Sequence, residues 1–229
     1  MGMFEDLSSD VSRFMSGEWD TQNAYVVPEA SALSLGNHAK TLKAVVLYAD
    51  ISDSTFLVDK HQPRLVAAMF KAFLHCAARI IKSEGGEIVS YDGDRVMAVY
   101  IGDHMTHQAV RSALRLNYSV ANIVNKNIKH QLKSGYELKH VVGIDAGSLF
   151  VSRIGVRGDN DLVWIGSPAN YAAKMSSFNG YKTYITERAL KRLSGDYRER
   201  FSWKRLVWTP YVGSDKIYVY ATNELMSLS

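Results

Sequence analysis

Ala44-Val45-Val46-Leu47-Tyr48-Ala49-Asp50-Ile51 is an almost unbroken apolar run of strand length, closed by the polar cluster Ser52-Asp53-Ser54-Thr55. An apolar run without apolar/polar alternation predicts a strand covered on both faces. Such a strand needs a sheet with packed material on each side, which restricts the chain to layered folds. The 229 residues, 47% hydrophobic and 22% charged, can build that core without disulfides or a structural metal. The lone cysteine, Cys76, excludes a disulfide framework within the chain and fits a reducing compartment, so a cytoplasmic location is expected. No stretch approaches 18 apolar residues and the first ten residues are acidic, so neither a membrane span nor a signal peptide is expected. The formal charge of +4 comes without a dense Lys/Arg block. It permits an anionic substrate and argues against a nucleic-acid partner.

Residues 1–40 read as an N-terminal arm. Phe4, Leu7, Val11 and Phe14 recur at helical spacing, and Val26-Val27-Pro28 suggests an extended piece. The arm is expected to pack on the main domain or on a partner subunit. The main domain, 41–224, begins in earnest at Lys43. After Pro63, apolar residues at 66, 69, 70, 73, 74, 77, 80 and 81 trace one helix face, with Gly85-Gly86 as its stop. Residues 87–91 and 95–101 predict a hairpin around Asp92-Gly93-Asp94. A second amphipathic helix is expected over 106–127. Residues 139–144 and 149–154 then read as a strand pair turning near Gly147, 162–165 as a short strand, and Pro168 as a helix opening. This order predicts an α+β, ferredoxin-like βαββαβ domain, a largely antiparallel sheet with helices on one face.

The chemistry concentrates at two aspartates. Asp50 ends the first apolar strand and Asp94 sits in the hairpin. A βαββ order lets these strands lie side by side, which brings the two carboxylates to one edge. Paired carboxylates repel unless a hard cation neutralises them, and Mg²⁺ or Mn²⁺ binds one or two carboxylates together with phosphate oxygens. Taken singly, each aspartate is equally a turn residue favoured by Asx geometry.

The surrounding residues resemble a known family. Tyr48-Ala49-Asp50-Ile51-Ser52-Asp53-Ser54-Thr55 resembles the F-A-D-I-x-G-F-T opening of class III nucleotidyl cyclases. Residues 85–99 look like their G-G-x-x-x-K-x-x-G-D-x-V-M-A-V stretch. Val142-Gly143-Ile144-Asp145-Ala146-Gly147 is similar to I-G-I-H-T-G, and residues 165–175 resemble I-G-D-x-V-N-x-A-A-R-L. The resemblance implies that Asp50, Asp94 and the Ile51 carbonyl hold two Mg²⁺ or Mn²⁺ ions. It implies that Asn170 orients the ribose and Lys174 stabilises charge on phosphate. Backbone amides of Ser52, Asp53, Ser54 and Thr55 would cradle the triphosphate. Family sites form between subunits, so a homodimer is implied in which Asn170 and Lys174 complete the partner's metal site.

Three departures refine this picture. Lys174 stands where the family carries an arginine, which keeps the charge and loses the bidentate fork. Ser90 and Val163 occupy the positions that read purine bases in the family, and neither supplies the bonds that tell adenine from guanine. Tyr48 replaces the usual Phe two residues before Asp50, and Arg95 directly follows Asp94, within reach of a base carbonyl or a phosphate. With the arm pattern Val27-Pro28…Leu35-Gly36-Asn37, these features resemble the pyrimidine cyclases of Pycsar antiphage defence. That resemblance implies UTP, or CTP, as substrate, a 3′,5′-cyclic monophosphate as second messenger, and a separate cyclic-nucleotide-responsive effector. The alternatives are an adenylate or guanylate cyclase and a catalytically inactive, cyclase-like binding module. A diguanylate cyclase is disfavoured because no G-G-[DE]-E-F hairpin occurs. Lesser candidates are His104 and His107 (three apart, without further ligands), Arg157 in a charged loop, and Lys204, Arg205 and Lys216 as phosphate contacts.

Overall fold

A computed structural model of the chain describes residues 2–132 and 136–228. Two long strands carry the architecture. Strand β2 (His38–Ile51) pairs antiparallel with β5 (His140–Val156) along 13 residues of β2, from Ala39 opposite Ser152 to Ile51 opposite His140. Strand β4 (Arg95–Tyr100) lies antiparallel on the other side of β2, and β3 (Glu87–Asp92) forms the expected hairpin with it. Beyond β5 follow β7 (Thr183–Thr186), β9 (Ile217–Thr222) and β8 (Lys204–Trp208), giving the order β3-β4-β2-β5-β7-β9-β8. β1 (Asp20–Asn23) pairs parallel with the start of β2, and β6 (Asp159–Ile165) pairs antiparallel with the end of β5. The core of this sheet is the expected ferredoxin-like βαββαβ arrangement, with β2 already running from His38 rather than from Lys43.

Alternation along β2 sends Val45, Leu47, Ala49 and Ile51 to one layer and Leu42, Ala44 and Val46 to the other. The first layer is closed by α3 (Pro63–Ser83) and α4 (Met105–Ser119). On α3 the stripe Val66, Met69, Phe73, Ala77, Ile80 and Ile81 is buried, as its spacing predicts. The second layer is closed by α6 (Ser167–Met175), by Leu162 and Trp164 of β6, and by Leu33 and Val27 of the arm. Helices on one face only is therefore an incomplete expectation, because the apolar residues of β2 demand cover on both faces.

Two further expectations are corrected. No turn occurs at Gly147. It lies inside β5 opposite Ala44, and a Cβ there would sit 3.0 Å from the Pro168 ring of α6, so this glycine serves close helix approach. The helix expected over 106–127 is interrupted by a π turn at Val120–Val124, where the Asn125 N–H reaches Val120 C=O, before α5 (Asn125–Leu132). The extra residue places Asn125 so that its side chain bonds both the N–H (2.8 Å) and the C=O (3.1 Å) of Leu138, ahead of β5. Helix α1 (Met3–Ser16) forms as predicted, yet none of its residues is buried, so its apolar stripe has no cover among the described residues. The Asn37 side chain holds its C-terminal end by donating toward the carbonyls of Arg13, Phe14 and Gly17.

Candidate active site

The register places the candidate residues in rows across one face of the sheet. Tyr48 of β2 pairs with Met97 of β4, and Met97 pairs with Ser90 of β3, so Ser90 and Tyr48 face the same way. One step further, the pairing of Ala49 with Val96 sets Asp50 opposite Arg95, which in turn pairs with Asp92. Arg95 therefore meets Asp50 side on, donating to its Oδ2 from Nη2 at 2.6 Å and from Nε at 3.0 Å. Asp94 precedes Arg95 in the turn and bears electrostatically on Asp50. The pairing of β2 with β4 sets the two aspartates near enough to interact.

Electrostatics in this patch follow from burial. Asp50 is only 9% exposed, and that burial pushes its carboxyl above the usual range; the Arg95 bonds pull it down and the Asp94 charge pushes it up. The hydroxyl of half-buried Tyr48 is raised by burial, against the lowering effect of Arg95, with Asp92 raising it further. Tyr48, Asp50, Asp92 and Arg95 thus form one coupled group. Oδ2 of Asp94 is buried and has no hydrogen-bond partner among the described residues. A buried carboxylate oxygen without a donor is costly and calls for a counter-charge. Two interacting carboxylates, one with a buried unpartnered oxygen, fit a hard divalent cation. No group of three or more His, Cys, Asp or Glu side chains able to hold a metal occurs among the described residues, so a bound ion would need backbone or substrate oxygens besides.

Beyond Asp50 the chain turns sharply. Ile51 closes β2, and the Ser52 N–H is taken by Lys139 C=O at 2.9 Å, so Ser52 leaves the expected amide cradle. Asp53 adopts a left-handed conformation (φ 57°) and leads into α2 (Ser54–Lys60). The amides of Ser54 and Thr55 lie in its first turn, where no intrahelical acceptor exists.

Asn170 and Lys174 share the exposed face of α6, and no hydrogen bond or ion pair joins either to Asp50 or Asp94 among the described residues. Lys174 Nζ instead donates to the Pro210 carbonyl at 2.8 Å, in the loop between β8 and β9 that also carries the exposed Lys216. Val163 on β6 is flanked by Leu162 and Trp164. These pack in the same layer as Val89, the neighbour of Ser90, and the three line one cavity of about 640 Å³. The strands bearing Ser90 and Val163 therefore come together within one chain.

Sequence reasoning missed three features. Gly143, beside Tyr48 in the register, lets α6 lie on β5: a Cβ there would fall 2.1 Å from Ala172 O. Ser177, just past α6, lies 3.5 Å from Arg95 Nη2. The Pro210 carbonyl is a backbone group and leaves no mark in the sequence. Of the lesser candidates, His107 hydrogen-bonds Ser194 and stacks edge-on with Tyr197, a structural role. Cys76 is half-buried against the core, Arg157 is exposed at the β5–β6 turn, and Arg205 lies 3.6 Å over the Tyr218 ring.

Comparison with known proteins agrees with this geometry. Residues 37–223 match the adenylate and guanylate cyclase catalytic domain. A uridylate cyclase of Xanthomonas perforans is 40% identical over 228 residues, covering 97% of each chain. A uridylate cyclase of Burkholderia cepacia is 45% identical over 196 residues, covering 85% of this chain and 86% of that one. The crystal structure of the guanylyl cyclase Cya2 superposes with a TM-score of 0.71 at 17% identity, over 82% of this chain and 95% of the other, and shares the fold. No helix among the described residues is long and apolar enough to cross a membrane. With the four motifs in order, the ferredoxin-like core and the paired aspartates at its edge, the chain belongs to the class III nucleotidyl cyclases, the adenylate and guanylate cyclase catalytic domain family.

Proposed function

We propose that this chain is a pyrimidine nucleotide cyclase. It converts UTP, or CTP, to the 3′,5′-cyclic monophosphate and pyrophosphate at two sites of a homodimer. The observation that carries the reading is the row Tyr48–Asp50–Arg95 beside the unpartnered Asp94 oxygen. It joins cation-binding carboxylates to a tyrosine and an arginine where purine-specific residues are missing. The names of the two relatives above support a uracil base.

In this reading Asp50, Asp94 and the Ile51 carbonyl hold Mg²⁺ or Mn²⁺. Bound there, divalent ions would lower the pKa of the ribose 3′-hydroxyl and offset charge on the α-phosphate. The chain's own residues orient the reactants. Amides of Ser54 and Thr55 receive phosphate oxygens, and the Tyr48 ring takes up space that a purine would need. The Arg95 guanidinium, seated against Asp50, lies within reach of a base carbonyl. Asn170 positions the ribose and Lys174 meets phosphate, both from the partner subunit, since no hydrogen bond or ion pair joins either to Asp50 or Asp94 among the described residues. The product serves as a second messenger for a separate effector in antiphage defence.

The test is incubation with each of the four nucleoside triphosphates plus Mn²⁺ or Mg²⁺, followed by mass analysis. Cyclic UMP or cyclic CMP should dominate, and Tyr48→Ala should narrow the preference over purines while leaving metal binding intact. Faster formation of cyclic AMP or cyclic GMP by the unaltered protein overturns the pyrimidine assignment.

A further inference from the structure

Asp145 is fully buried in β5, yet it takes no part in the site described above. Its carboxylate accepts hydrogen bonds from the Ala146 N–H (2.8 Å), from the Thr186 hydroxyl, and from Arg188 through both Nε (2.7 Å) and Nη2. Arg188, on the short helix α7 (Glu187–Leu190), then reaches α6 twice. Its Nη2 donates to Oγ of Ser167, the first residue of α6, at 2.9 Å, and its guanidinium carbon lies 5.2 Å over the Tyr171 ring, one turn further on. A cation at a helix N-terminus opposes the helix dipole, so this contact is a poor device for stabilising α6. An ion pair whose carboxylate is fully buried, with Arg188 half exposed, is likewise weak evidence for stability and better suited to fixing one arrangement. What the pair fixes is geometric. Ser167 and Tyr171 lie four residues apart on one face, so gripping both sets the roll of α6 and its position along its axis. Asn170 and Lys174 project from that same helix.

We propose that Asp145 and Arg188 are positioning residues that set the roll of α6 and thereby aim Asn170 and Lys174. The proposal deepens the cyclase reading and rests on it for the roles of Asn170 and Lys174. Arg188→Met keeps the alkyl stem and removes the fork. It should raise amide hydrogen exchange in residues 167–175 at least about tenfold, leaving β2 and β4 amides unchanged. It should lower kcat about 10- to 100-fold with KM for the nucleotide within about twofold. In a double-mutant cycle, Arg188→Met combined with Asn170→Ala should be little worse than Asn170→Ala alone. If Arg188→Met folds poorly because it strands a buried carboxylate, the Asp145→Asn/Arg188→Met pair carries the same expectations. Unchanged exchange in α6, or fully additive losses with Asn170→Ala, overturns the brace. Should the unaltered protein cyclise no nucleotide, the cyclase reading fails, and the exchange measurement still decides the brace.

Discussion

Gly143→Ala is the sharpest single test of how the fold serves the site. The added Cβ would lie 2.1 Å from the Ala172 carbonyl oxygen, 2.9 Å from Ser176 N and 3.0 Å from Ala172 C, all of them backbone atoms of α6 or its end. Ordinary contact begins at 3.4 Å, a shortfall of about 1.3 Å that no side-chain rotation can absorb. Helix α6 must therefore back away from β5. Overpacking of this kind costs about 1–3 kcal/mol, or roughly 2–12 °C in Tm for a domain of this size. The functional cost should be larger, since about 1 Å of misplacement in a positioning group can lower turnover about 10²-fold. The assay is kcat for cyclisation alongside a thermal melt. Gly195→Ala serves as control, because nothing lies within 4 Å of its added Cβ. A Gly143→Ala protein with a lowered Tm and unaltered kcat would show that the seat of α6 has no bearing on the chemistry.

Replacing Asp50 or Asp94 by Ala should lower turnover by at least about 10³-fold at saturating metal with the fold intact, read by circular dichroism and product assay. Either variant turning over near the unaltered rate refutes the two-carboxylate site. Co-folding Asp50→Ala with Asn170→Ala chains should recover activity, since a mixed dimer keeps one complete site; dimers that form without recovery refute the shared site. His140 is buried, with its ring bonded to Asn117 Oδ1 at 2.8 Å, and burial, helped by the Lys182 charge, lowers its pKa from 6.5 to about 3. Below pH 6.5 the unfolded chain binds a proton that the native chain refuses, so stability falls as pH drops from 6.5 toward 3. That loss amounts to about 2 kcal/mol by pH 5. Urea unfolding at pH 7 and pH 5 measures it, and a His140→Gln protein with the same pH slope would refute the assignment.

The fold was legible where one periodicity dominates. The apolar stripe of α3 and the unbroken run of β2 each admit one solution, and both formed with the buried faces expected. Reading failed where a residue type has two uses. Gly147 resembles a turn and instead admits Pro168 of α6, because a strand glycine signals close approach as readily as a bend. The π turn at 120–124 carries no compositional mark, since its reason is the bond between Asn125 and Leu138. The stripe of α1 was legible as a helix and silent about its cover, which no described residue supplies.

At the site, the carboxylates were legible because strand ends and hairpin turns fix where side chains emerge. The ion pair between Arg95 and Asp50 follows from register, which needs the facing of β2 against β4 to be known. Lys174 shows the remaining gap most clearly. From the sequence it is an arginine position occupied by a weaker substitute. In the structure its ammonium donates one hydrogen bond to Pro210 C=O, while α6 is held from behind by Tyr171 and Phe178 against Trp208. An ammonium has three donors about one centre, so the bond to one backbone carbonyl leaves two, which the proposed reading assigns to phosphate oxygens. A planar guanidinium would need a partner aligned with its fork to be held as firmly. The substitution is thus matched to a loop backbone whose position depends on β8 and β9. That dependence is a property of the folded chain, and residue identity at 174 could not carry it.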